Sequence, residues 1–407
     1  MEKMKKILCV TYITLLAIFS GVIFATQILG FLKSYYPAAV FSLSLILTCL
    51  FGTLLTKFTS PFILESLDRP DRLASNKWIR RIVFGAGILI FLIVLFLPLL
   101  LWPFSGISQE LNWDAGFYHF TKAAELVVSH SSWDLTIPYG EYPFGFESLI
   151  AESLLLNPSG YLIGTIHALI ILFFTLSLFL LVSRYSRLQS EYVFFFVVAI
   201  IASYDIIRFV NLNPFQIFRV LAFTIGKNDF FLTALMMAFI YFSPVGPEFP
   251  KHNLLGMGLV SALICCTKPY GVLPLVFIWI YILVIQIRQW KSDGKVGKRD
   301  GLMWLGILLI HLVSLLWVVR NLVGQGRLFS DASLEIQQES ILQNLVNPLF
   351  YRSLGMIPLM IGLVLVISFI AAFFMKRMHY SIPILYSILI VTFLITPATL
   401  YFGAEGG

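Results

Sequence analysis

Charge is what this sequence has least of. Asp, Glu, Lys and Arg make up 12% of 407 residues, about half the share found in soluble globular domains. With 59% hydrophobic residues and a mean hydropathy of +0.89, the composition excludes a soluble globular protein and indicates an integral membrane protein. Cysteine is scarce too. Cys9, Cys49, Cys265 and Cys266 all fall inside apolar runs and not in loops, which suggests neither a disulfide framework nor a zinc site. The adjacent Cys265 and Cys266 read most simply as small apolar core residues. No GxxxxGK[ST] loop occurs, which argues against an ATP-driven pump, and no GxGxxG turn is present as a phosphate cradle. A repeat of about 20 to 50 residues and a low-complexity linker are both missing, which argues against a solenoid or a multidomain string.

What the chain has in quantity is apolar runs approaching the roughly 20 residues needed to cross a bilayer. Hydrogen-bond satisfaction in lipid makes helices of them, and they lack the alternation of a transmembrane β-barrel. Hydropathy and turn signals give about eleven crossings, at 7–32, 38–56, 82–102, 161–182, 192–210, 230–242, 254–267, 270–287, 301–319, 353–374 and 382–401. The opening "MEKMKK" and its apolar run exceed the roughly 7 to 15 apolar residues of a secretory signal, so 7–32 is an uncleaved first span. The expected fold is all-α: one membrane-embedded domain over 1–407, a polytopic bundle whose long first external loop, 104–160, carries interfacial helices. The closing "LYFGAEGG" falls on the outer side, and reads equally as a natural end or as a truncation ahead of further spans.

The charges sort by side. With the N-terminus cytoplasmic, 19 of the 28 Lys and Arg lie in inside segments, as the positive-inside rule requires of a multi-pass cell-membrane protein. No basic block with interleaved polar sequence accompanies the net charge of +7, so no nucleic-acid partner is expected. Inside loops such as "RQWKSDGKVGKRD" are short, basic anchors. The long aromatic segments, 104–160, 211–229, "TKPYG" and 320–352, lie outside, and catalysis belongs with them.

In "LNWDAGFYHFTKAAELVV", Trp113, Phe117, Phe120, Ala124, Val127 and Val128 recur at helical spacing, with Asp114, Tyr118, Thr121, Lys122 and Glu125 opposite. The pattern predicts a helix along the membrane surface, aromatics down and polar side up. Asp114 sits near its start, where a dipole-compensating acid is the plainer explanation. The next block, "WDLTIPYGEYPFGFESLIAESLL", carries Glu141, Glu147 and Glu152 among more aromatics than a solvated loop needs. It reads as a turn folding back on the membrane, then a helix from about 146 with Glu147 near its start. Cations follow at span ends: Arg219 and Lys227, close to Asp229, then Lys268 in "CCTKPYG" and Arg320 in "WVVRNLVGQGR". Charge at membrane depth is costly unless it snorkels or pairs. Three such ends on one side point to a shared anion, and a lipid-linked phosphate fits that depth.

Together, an Asp among aromatics in the first external loop, "GKND" opening a later span, a "TKP" turn and "W-x-x-RN" at a span end resemble the GT-C superfamily of membrane glycosyltransferases. The likeness is to the protein O-mannosyltransferase and aminoarabinose transferase types and covers about 82–321. It implies a sugar donor on a polyprenyl phosphate or diphosphate, chemistry at the outer leaflet of the cell envelope, and an essential first-loop acid matching Asp114. The acceptor would be a hydroxyl of a lipid, glycan or protein. On this reading Asp114 is the base, while Lys227, Lys268, Arg320 and Arg219 hold the donor phosphate. Glu141, Glu147, Asp229, His119 and Tyr118 orient substrate or the cations. No cofactor is assigned and a divalent metal is left open, since Asp114, His119 and His130 match no ligand spacing. His167 and His311 lie within spans, as helix-contact histidines rather than proton relays. A transporter or flippase of a lipid-linked sugar is the alternative, with a lipid-binding scaffold a third, but polar residues cluster at one surface and no two related halves are found.

Overall fold

The computed structural model describes residues 2–67, 77–101, 115–185, 188–209, 226, 228–243, 253–269, 272–293 and 298–328. Asp114, Arg219, Lys227 and the expected spans 353–374 and 382–401 lie outside the described residues. The backbone divides into two units, one of Met1–Ser243, His252–Lys268 and Met303–Arg320, the other of Pro244–Lys251, Pro269–Leu302 and Asn321–Gly407. All the side chains discussed below belong to the first.

Every element among the described residues is helical. In chain order they are α1 (Glu2–Phe31), α2 (Pro37–Phe58), α3 (Ser60–Leu67), α4 (Lys77–Leu101), a π-helical turn (Ala115–His119), α5 (Phe120–Ser129), α6 (Gly145–Leu156), α7 (Ile163–Tyr185), α8 (Ser190–Phe209), α9 (Asn228–Phe242), α10 (Leu254–Thr267), α11 (Val272–Asp293), α12 (Lys298–Ser314) and α13 (Leu316–Gln325). Five stretches, Lys3–Phe31, Pro37–Phe58, Lys77–Phe96, Ile163–Arg184 and Gly301–Gln325, are long and apolar enough to cross a membrane, and the chain is a helical membrane protein of several spans. Ser190–Ala199, Asn228–Phe242 and Leu254–Thr267 are apolar but shorter. They fall where crossings 192–210, 230–242 and 254–267 are expected.

Local chemistry explains the starts and stops. Pro37 opens α2 at a position where its missing N–H is not needed. His130 ends α5 in a left-handed conformation, φ 55°, and its Nδ1 lies 3.0 Å from the carbonyl of Tyr35. The packing then sorts helix ends into two groups. At one end, Trp133 donates from Nε1 to the carbonyl of Phe31 at 2.6 Å, joining the end of α1 to the segment after α5. At the other end, Ser66 of α3 meets the Tyr241 hydroxyl of α9 at 2.7 Å. Arg184 at the foot of α7 donates to the carbonyls of Tyr241 and Ser243, closing the C-terminus of α9. Arg184 is only 5% exposed, so it does more than anchor a loop. α3 is likewise a packed helix inside a stretch that reads as a basic loop.

Between the two ends the core is aromatic. Tyr12 stacks on Phe173 at 5.5 Å, and Phe19 meets Phe173 and Phe231 edge-on at 5.4 and 5.2 Å. Each such pair contributes about 0.5–1.5 kcal/mol beyond burial. This block fixes α1, α7 and α9 against one another and gives the polar end a rigid base.

Candidate functional site

The site is built on two short helices that lie among the span ends. α6 has 12 residues, and its first seven, Gly145 to Ala151, are all buried. Gly145 admits this packing: a β-carbon there would fall 2.6 Å from the carbonyl carbon of Cys266, at the end of α10. The neighbouring helix α5 packs against α6, and the face it buries is not the aromatic one. Ala115, His119, Lys122, Ala123 and Leu126 are turned inward, while Phe117 and Val128 are 43% and 76% exposed. Lys122, expected on the open polar side with Tyr118, Thr121 and Glu125, is instead buried. Small Ala115 and Ala123 allow close approach, and the two polar residues on that face find a partner on α6.

That partner is Glu147. His119 donates from Nδ1 to its Oε1 at 2.8 Å, and the Lys122 ammonium lies 3.3 Å from the same oxygen. All three side chains are 1–2% exposed. Lys122 also donates to the carbonyls of Pro143 at 3.0 Å and Tyr142 at 3.4 Å, and stands 4.5 Å over the Phe144 ring. Burial works to raise the Glu147 carboxyl, but the Lys122 charge and the His119 hydrogen bond together overcome it and hold it down to about 2. Glu147 is an anion at neutral pH.

Arg320, 1% exposed, reaches the same ring from α13, 5.2 Å from its centre. Its guanidinium donates to the carbonyls of Ser132 at 2.8 Å, Gly140 at 2.7 Å and Tyr142 at 3.3 Å. A planar fork is suited to collecting several carbonyls at once, and here it ties together the segment between α5 and α6. Glu141 is 7% exposed within that segment. The Tyr118 ring is tilted against His119 at 4.0 Å and against Tyr139 at 4.8 Å, and Tyr139 continues to Tyr142 at 5.2 Å.

The remaining charges lie nearer the surface. Lys268, just past α10, donates to Asp229 at the start of α9 at 2.6 Å, with side chains 25% and 59% exposed. The field of Lys268 reaches His119. Two other sequence-distant segments touch three residues before Asp229, on α9's approach. Gly226, at φ +86°, is seated so that a β-carbon would fall 2.9 Å from Ala115 Cβ and 2.7 Å from the Phe120 ring. Gly226 precedes Lys227 and Ala115 follows Asp114, so the "GKND" and "WDAGF" segments meet through these flanking residues.

Thus the structure brings together His119, Glu147, Tyr118, Glu141 and Arg320, with the Lys268–Asp229 pair near His119. Lys122 is the residue a sequence reading misses. Its signal is positional: it follows His119 by one helical step and so shares its face. Glu152 is a second. It is held by burial with its carboxyl pushed up to about 7, although the Ser44 hydroxyl pulls the other way. Among the described residues no group of three metal-ligating side chains forms. The chain matches no protein-family model, no curated protein and no solved structure.

Proposed function

We propose that the chain is a membrane glycosyltransferase that moves a sugar from a polyprenyl-phosphate donor to an acceptor hydroxyl at the outer face of the cell membrane. The N-terminus is then cytoplasmic, and the end of the bundle holding α5 and α6 is external. One observation carries this reading. Residues scattered from 115 to 320 converge at a single end: Gly226 on Ala115 and Phe120, Lys268 on Asp229, Arg320 on the carbonyls before α6, and Glu147 on His119. A membrane protein that buries this many ionisable groups at one end has a use for them there.

The transfer needs a carboxylate to take the proton of the acceptor hydroxyl as its oxygen attacks the anomeric carbon. It also needs cations to stabilise charge gathering on the departing phosphate. Asp114 fills the first role. Lys268, partly exposed at the rim, fills the second with Lys227 and Arg219. Arg320 is directed at backbone carbonyls, and its contribution is to fix the segment that carries Glu141. Lys268 and Asp229 exchange partners when a phosphate arrives, since an ion pair at partial exposure contributes only about 0–1 kcal/mol.

Reconstituted protein given polyprenyl-phosphate mannose or arabinose tests this by release of free polyprenyl phosphate. Asp114→Asn should bind donor as the wild type does and lose turnover. A variant that turns over at full rate removes Asp114 from the mechanism, and a wild type that moves lipid-linked sugar across the bilayer without cleaving it makes the chain a flippase.

A further inference from the structure

Serines and threonines inside these helices commonly return their hydroxyls to the carbonyl one turn earlier, as Ser20, Thr175 and Thr267 do at 2.6, 2.8 and 2.7 Å. Thr26 in α1 and Ser44 in α2 do not. Their hydroxyls, that of Tyr35 in the turn between the two helices and Oε2 of Glu152 in α6 are sealed from solvent and meet no hydrogen-bond partner among the described residues. Thr26, Tyr35 and Ser44 are at most 5% exposed. The four oxygens share one neighbourhood. The Tyr35 hydroxyl faces that of Thr26 and feels the charge of Glu152, and the Glu152 carboxyl faces the Ser44 hydroxyl, in neither case closing a hydrogen bond. α1 and α2 run almost backbone to backbone beside them: a β-carbon at Gly21 would fall 2.7 Å from the Ser44 carbonyl oxygen. α6 packs against α1, and Tyr35 is pinned to His130 through its N–H at 3.1 Å and its carbonyl at 3.0 Å.

Buried polar atoms without partners are rare in native proteins and point to something bound among them. Charge says what. Glu147 is matched by Lys122 and Asp229 by Lys268, but no lysine or arginine among the described residues adds to the field at Glu152. Hard cations take oxygen ligands, and carboxylate and hydroxyl oxygens are what this neighbourhood offers. The single carboxylate sets the valence: a monovalent ion neutralises it, whereas a divalent one leaves a positive charge out of water. We propose that Glu152, Ser44, Thr26 and Tyr35 bind a small monovalent cation of the sodium type, which joins α6 to the α1–α2 hairpin. Glu152 is partly exposed, and the ion enters beside it. α6 also carries Glu147 in its first turn, so the ion steadies from behind the helix that presents the buried Lys122–Glu147 pair. The site does not depend on sugar transfer and stands whatever reaction takes place at that end of the bundle.

The test uses the full chain in lipid nanodiscs at about pH 8, with sodium chloride replacing choline chloride at constant ionic strength so that screening stays the same. Sodium should lower the unfolding constant and the effect should saturate, reaching about 10-fold at ten times the half-saturating concentration. Equilibrium dialysis with radioactive sodium should find a single ion held per chain. Glu152→Gln keeps the shape and removes the charge. It should melt in choline at or above the wild-type temperature and lose both the sodium response and the retained ion. Ser44→Ala, which removes one neutral ligand, should raise the half-saturating concentration about 10-fold. A wild type that melts alike in sodium and in choline and retains no radioactive sodium overturns the proposal and leaves the four oxygens to water. Sodium held as tightly by Glu152→Gln as by the wild type overturns it as well, since the ion then lies elsewhere. Sodium and a proton compete for the same carboxylate, so the pH dependence of Glu152 itself is read in choline.

Discussion

Lys122 lies 3.3 Å from Glu147 in surroundings where neither side chain is more than 2% exposed. An ion pair so deeply placed is held in balance: the attraction is large, and so is the loss of hydration. Removing one partner leaves the other charged and alone. Lys122→Met should therefore destabilise the protein by about 3–5 kcal/mol, measured as unfolding in detergent. Lys122→Met combined with Glu147→Leu should recover much of that loss. A double variant as unstable as the sum of its parts would mean the two residues are not coupled.

Arg320 should be intolerant of its usual substitute. Lysine keeps the charge but not the fork that reaches Ser132, Gly140 and Tyr142 together. Arg320→Lys should cost about 1–3 kcal/mol through stranded carbonyls, and hydrogen exchange across 132–142 should quicken while exchange in α1 and α7 stays as it was. Uniform exchange in both proteins would show that the segment does not depend on the guanidinium.

Glu152 gives the protein a pH dependence of definite sign. Its folded carboxyl titrates at about 7, above the ordinary 4.5, because burial disfavours the anion. A raised acid contributes most below its unfolded pKa, and the contribution is lost as pH rises through about 7. Glu147 has the opposite sign and acts only in strong acid, and His119, kept below its ordinary range by burial, adds stability as pH rises, so the part due to Glu152 is read as a difference between two proteins. The melting temperature of Glu152→Gln should rise relative to that of the wild type as pH climbs from about 5 to 8. Parallel slopes for the two proteins would remove Glu152 as the cause.

Gly226 should resist even alanine. A methyl group there meets the Phe120 ring and Ala115, and φ +86° is strained for any residue with a β-carbon. Gly226→Ala should destabilise by about 2–3 kcal/mol. Donor binding should weaken with it, since Lys227 is the next residue. Unchanged melting and binding would show that the two segments can part without consequence.

Much of the bundle is legible in sequence because lipid makes hydropathy nearly sufficient. The runs that become α1, α2 and α7 stand out by length, and the position of Glu147 in the first turn of α6 follows from the glycines and prolines before it. The face of α5 is not legible in the same way. Aromatic spacing points one side toward the membrane, but His119 and Lys122 go inward because of an acid that arrives later in the chain on another helix. Periodicity cannot register a tertiary partner. For the same reason "TKP" and "GKND" are visible as two charged span ends, whereas the bond between Lys268 and Asp229 is not. α3 hides inside a basic loop because its eight residues are packed from outside, by Tyr241 among others.

The shortness of α6 bears on how the protein is made. Twelve residues rise about 18 Å, too little for the insertion machinery to accept as a crossing. Its seat includes the end of α10, where Gly145 closes on Cys266, and α10 is synthesised more than a hundred residues later. The polar end must then be assembled after insertion rather than during it, so nascent chains arrested before residue 254 should leave α6 open to protease, and chains arrested well beyond residue 268 should shield it.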